Sequence, residues 1–165
     1  MLQERTAADI MTALWVAKGN GIPYVYDDGG RAAAGFKGNT GDCGVRAIAI
    51  ATGQPYLTVY NLVNELCKSE VLPKGAKRGS NARTGLHKGI MHQYMESLGW
   101  HWIPTMKFGQ GCKVHVRSGE LPTKGSLVLN LSRHFAAVVD GVLRDTYDSS
   151  RGGTRCVYGY WIKEG

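Results

Sequence analysis

The dipeptide Asp140-Gly141 constrains this chain more than any other feature. It stands between two apolar runs, His134 to Val139 and Val142 to Tyr147. Such a dipeptide tolerates the positive φ angles of a two-residue hairpin turn whose twist matches the flanking strands. The register then follows by counting outward. Val139 faces Val142, Val138 faces Leu143, Ala137 faces Arg144, Ala136 faces Asp145, Phe135 faces Thr146 and His134 faces Tyr147. Neighbours along a strand alternate in face. His134 therefore shares a face with Ala136, Val138, Leu143, Asp145 and Tyr147. Asp145 is diagonal to His134 and within reach of a side-chain hydrogen bond. Asp148 is predicted to point elsewhere. A histidine held by a carboxylate on a strand ladder is a base with an orienting partner.

A base of this kind needs a nucleophile, and Gly41-Asp42-Cys43-Gly44-Val45-Arg46-Ala47-Ile48-Ala49-Ile50-Ala51-Thr52-Gly53 supplies one. The approach, residues 37–42, has the glycines and short polar side chains of a tight turn. The rest is small and apolar at helical spacing and stops at a glycine. Cys43 is thus predicted to open a helix, where free N–H groups and the positive end of the dipole favour a thiolate. The glycine-rich approach suggests room for an extended substrate beside the backbone. The other histidines offer weaker candidates. His87 and His92 fall on a predicted helix, and His101 and His115 have no carboxylate nearby in sequence.

Around these two stretches the chain reads as one α+β domain over residues 1–165, with helices first and antiparallel strands after. Helices are predicted over Thr6 to Lys18, Cys43 to Thr52, Thr58 to Ser69 and Leu86 to Leu98. Strands are predicted at Ile22 to Tyr26, Trp100 to Pro104, Val114 to Val116, Ser126 to Leu131, His134 to Val139, Val142 to Tyr147 and Val157 to Ile162. Pro23 puts the first of these at an edge.

Composition narrows the function. The apolar share is 43% in 165 residues, enough for a packed core. No apolar run is long enough to span a bilayer, and the first residues lack a signal-peptide pattern, so a cytoplasmic location is expected. Cys43, Cys67, Cys112 and Cys156 contain no Cys-x-x-Cys pair, so no metal or other cofactor is expected. In a reducing compartment all four are expected as free thiols. The net charge is +7. Lys74, Lys77, Arg78, Arg83 and Lys88 cluster in a segment read as a mobile, solvated loop. It offers a place for nucleic acid, but it lacks the interleaved aromatic residues of a strand-binding surface.

A cysteine opening a helix, followed by a histidine and then an aspartate on strands, resembles the papain-like cysteine peptidase superfamily. The resemblance rests on Gly41-Asp42-Cys43-Gly44, His134 and Asp145. The same chain order is similar to that of bacteriocin-processing peptidases and transglutaminase-like enzymes. Asp42 to Ala47 is also similar to the cysteine box of ovarian-tumour-type deubiquitinases, although Thr40 stands where that family has an aspartate. Over most of its length the chain looks like small proteins encoded by bacteriophages and other mobile elements. The matching text is Tyr24 to Arg31, the Cys43 box, Leu98 to Thr105 and His134 to Trp161. The resemblance implies helices packed against a β-sheet, with a cleft between them. It also implies a cysteine hydrolase with Cys43 as nucleophile, His134 as base and Asp145 as orienting carboxylate, acting on a peptide or isopeptide in a host cytoplasm. Papain-like enzymes place a glutamine upstream of the cysteine to hold the oxyanion. No glutamine stands there in this chain, and Asn39 is the candidate amide. Acyl transfer on the same triad is the alternative reaction. A non-catalytic domain binding nucleic acid or a host protein is the alternative class.

Overall fold

A computed structural model describes residues 21–38 and 40–163. The helix expected over Thr6 to Lys18, and Asn39, lie outside the described residues. Among the described residues three α-helices are present: α1 (Cys43–Thr52), α2 (Tyr56–Cys67) and α3 (Lys88–Ser97). The six strands are β1 (Tyr24–Tyr26), β2 (His101–Pro104), β3 (Ser126–Leu131), β4 (His134–Val139), β5 (Val142–Asp145) and β6 (Gly159–Ile162), in the sheet order β1-β5-β4-β3-β6-β2. No helix among the described residues is long and apolar enough to cross a membrane.

The α+β class is as expected, but the sheet is mixed. β1 runs parallel to β5, with Tyr24 opposite Leu143 and Tyr26 opposite Asp145. Pro23 does precede an edge strand, and its carbonyl accepts the Leu143 N–H at 2.8 Å. The Val114 to Val116 strand reduces to a single bridge between His115 and Cys156.

The Asp140-Gly141 turn forms with both residues at positive φ, 47° and 77°. Val139 pairs with Val142, Val138 with Leu143 and Ala137 with Arg144, and there the ladder stops. The three outer pairs expected from the turn do not form, so β4 and β5 part company just before His134 and Asp145.

β4 is buried along its whole length, because the sheet is covered on both faces. Phe135, Ala137 and Val139 pack with Val128 and Trp161 against α1, α2 and α3. Ala136, Val138 and Leu143 pack with Leu127, Leu129 and Leu131 under Ile22, Val116 and Leu121. This explains why β4 reads as continuous apolar sequence rather than as an alternation.

Two expectations are overturned. Cys112 and Cys156 are not free thiols but a disulfide, with 5.9 Å between Cα atoms. Val116 N–H to Arg155 and Val157 N–H to Val114 lay the two segments side by side, which brings cysteines 44 positions apart into reach. A disulfide belongs to oxidising surroundings, so the cytoplasmic expectation loses the support that four free thiols would have lent it.

The basic segment is also not a uniformly mobile loop. Residues 71–75 and 77–79 are exposed, but 80–87 form a pinned turn. Asn81 and Gly85 exchange backbone hydrogen bonds of 2.8 and 2.9 Å, and the N–H of fully buried Ala82 donates to Asn64 Oδ1 at 2.9 Å. Arg83 reaches the Lys37 carbonyl at 3.0 Å. Limited trypsinolysis should therefore cut after Lys74, Lys77 or Arg78 and spare the bond after Arg83. Early cleavage at Arg83 would show that the turn is not held.

Candidate active site

Cys43 is the first residue of α1, as expected. Its thiol lies beside the His134 ring, near enough for each group to shift the other's titration, and both line one cleft. His134 Nε2 lies 2.6 Å from Asp145 Oδ2. A carboxylate only accepts, so Nε2 carries a proton, and the remaining ring nitrogen, Nδ1, is left for the sulfur. The structure thus brings Cys43, His134 and Asp145 together. It also agrees with the choice of Asp145 over Asp148, whose Oδ1 instead accepts the Ser150 N–H at 3.1 Å.

The end of the ladder makes this possible. Beyond Ala137–Arg144 the strands no longer pair, and the first turn of α1 reaches the chain just past β5 through Arg46 and Thr146. There the Phe135 backbone N–H favours the charged form of the Cys43 sulfur. Tyr147, half-exposed, lies with its ring 5.3 Å from that of His134.

Burial favours the neutral form of both groups. Against burial, the hydrogen bonds to Asp145 and Cys43 and the charges of both raise the His134 imidazole to about 9. Burial likewise pushes the Cys43 thiol up, but the His134 hydrogen bond and charge, the Phe135 N–H and Arg46 outweigh it and bring the thiol below its ordinary value. The two shifts favour the same state, a thiolate beside an imidazolium. Cys67 goes the other way, raised by burial and by Glu70.

Sequence reasoning named no role for the buried network behind the three residues. Asp145 Oδ2 also accepts from Ser149 at 2.8 Å, and its Oδ1 accepts the Thr146 N–H at 2.7 Å. Arg46 donates to Thr146 Oγ1 at 2.7 Å and lies 3.8 Å from Asp145 Oδ1. Its Nε is 3.2 Å from Asp42 Oδ1, and the Tyr56 hydroxyl donates to Asp42 Oδ2 at 2.6 Å. Burial and then the Asp42 carboxylate hold the Tyr56 hydroxyl far above its ordinary value. Arg46 therefore bridges the residue before the cysteine and the carboxylate behind the histidine. One hint was present: Asp42 and Arg46 are four apart at a helix start, on one face.

Cys43 and His134 open into a cleft of about 330 Å³. One wall is the pinned turn at Thr84, Gly85 and Leu86; the other is the β3–β4 end at Asn130, Arg133 and Phe135. The glycines before and after Cys43 let this wall come close. A Cβ on Gly41 would stand 2.6 Å from the Thr84 carbonyl oxygen, and one on Gly44 would stand 2.8 Å from Leu86 Cδ1. A second hollow of about 380 Å³, between Thr52, Trp100 and Lys163, holds none of the three residues. Among the described residues no cluster of His, Cys, Asp or Glu is placed to hold a metal ion. No family model matches the chain, and neither a curated protein nor a solved structure does.

Proposed function

We propose that the chain is a papain-like thiol hydrolase that cleaves peptide or isopeptide bonds. One observation carries the reading: a cysteine at a helix start shares a cleft with a histidine whose Nε2 donates to a buried carboxylate. The Cys43 thiolate attacks the substrate carbonyl, and the carbonyl π electrons move to oxygen. The backbone N–H of Cys43, at the open start of the helix, would donate to that oxyanion. Asn130, the amide among the described residues that lines the cleft, is the side chain to test beside Asn39. Collapse of the tetrahedral species breaks the C–N bond, and the imidazolium of His134 gives its proton to the departing amine. A thioester on Cys43 remains. His134, now neutral, takes a proton from water, the hydroxide adds to the thioester, and the thiolate leaves.

Alkylation tests the nucleophile without a known substrate. Iodoacetamide at pH about 6–7 should modify Cys43 well ahead of Cys67, because an ordinary thiol, with a pKa of about 8.5, is then almost wholly protonated. Equal rates at the two cysteines would count against the reading. Turnover should fall as pH rises through about 9, where the raised His134 loses the proton owed to the leaving amine. Tandem mass spectrometry of peptide products, with and without an added amine, separates hydrolysis from acyl transfer.

A further inference from the structure

We propose that the cleft selects acidic peptides, and that Arg133 and Lys88 recognise their carboxylates; this rests on the reading of Cys43 as the nucleophile. Among the described residues the cleft is lined by Arg133, Lys88 and His87 and by no aspartate or glutamate. The nearby carboxylates are already committed. Asp42 and Asp145 are buried against Arg46, and Glu70 accepts the Ser80 N–H at 2.7 Å. Among the described residues neither cation forms an ion pair with a carboxylate. Lys88 lies 4.2 Å over the Trp102 ring, a contact that keeps its charge, and that charge contributes to holding the His92 ring below its ordinary value after burial has done most of it. Arg133 is exposed and makes no ion pair among the described residues.

The backbone at Arg133 strengthens the case. It is the second residue of the two-residue turn between Leu131 and His134, with φ 54°. That conformation suits glycine or asparagine, and other residues hold it at a cost. The turn is fixed from behind, because the buried Arg155 donates to the Ser132 carbonyl at 2.6 Å. A long cation is thereby held next to the base, at the mouth of a cleft with low-dielectric walls, where such charges concentrate anions. At about 330 Å³ the cleft takes a few side chains.

Two reagents of nearly equal size test this at Cys43 itself: iodoacetate, which is anionic, and iodoacetamide, which is neutral. The ratio of their rates cancels any change in thiolate content. It should exceed the ratio measured for free glutathione, fall by up to about tenfold in Arg133→Ser/Lys88→Gln, and shrink in high salt. A ratio unchanged by the double substitution overturns the proposal. Failure of both reagents to prefer Cys43 over Cys67 removes the nucleophile reading and the proposal with it, and is a different result. Oligoglutamate should protect Cys43 from iodoacetamide. Protection by a single-stranded oligonucleotide and not by oligoglutamate would overturn the acidic-peptide assignment in favour of nucleic acid.

Discussion

Replacing Asp145 with asparagine is expected to lower turnover by about 10⁴-fold while the protein stays folded. Every partner of this carboxylate is a donor: the His134 ring, Ser149, the Thr146 N–H and Arg46. An amide has one oxygen and one NH₂, so one side must set donor against donor. Turning the NH₂ toward Thr146 places it against a backbone N–H and beside a guanidinium. Turning it toward His134 forces Nε2 to accept and moves the ring proton to Nδ1, opposite the sulfur. The second orientation costs less, and it removes the base. The pH profile of Cys43 alkylation should then move up toward the ordinary thiol range. Asp148→Asn should leave that profile in place, since Asp148 is bonded to Ser150. A normal profile for Asp145→Asn would show that the carboxylate does not control the ring.

Arg46→Met is expected to destabilise the fold by about 3–5 kcal/mol, the usual result of removing one member of a buried ion cluster. Arg46 is 8% exposed, and Asp42 and Asp145 are 1% and 4% exposed, so solvent cannot take its place. Lysine should not rescue it. A single ammonium cannot reach Thr146 and Asp42 together as the guanidinium fork does. Adding Asp42→Asn to Arg46→Met should recover part of the loss, because it removes one of the stranded charges. Urea unfolding of the three proteins measures this. A loss below about 1 kcal/mol for Arg46→Met would place the network among ornamental ion pairs.

How far the sequence reaches depends on the distance each signal spans. The β4–β5 turn and the start of α1 are local, and both could be read from adjacent residues. So could the His134–Asp145 contact, because a two-residue turn transmits its register along the chain. The outer part of that register failed, since β5 ends at Asp145 and pairs with β4 only as far as Arg144, and no local pattern encodes where a ladder stops. Arg46 and Thr146 are one hundred positions apart, and Cys112 and Cys156 forty-four. Nothing at either residue announces its partner. The pinned turn was misread for a related reason. The basic segment around it has the glycines and lysines of a mobile loop, while what holds the turn is Asn64, in another element. The parallel pairing of β1 with β5 needs a crossover that only the assembled sheet defines.

The sheet order sets when the site can exist during synthesis. β6 is the last strand in sequence, yet it lies between β3 and β2, and β2 pairs with no other strand. β1, near the beginning, likewise waits for β5. A ribosome must therefore have translated past Ile162 before the sheet can close. Until then β2 and one side of β3 stay open to mispairing, and their long-range closure is intrinsically slow. His134 and Asp145 leave the exit tunnel long after Cys43, so the nascent chain carries an unactivated thiol until they emerge.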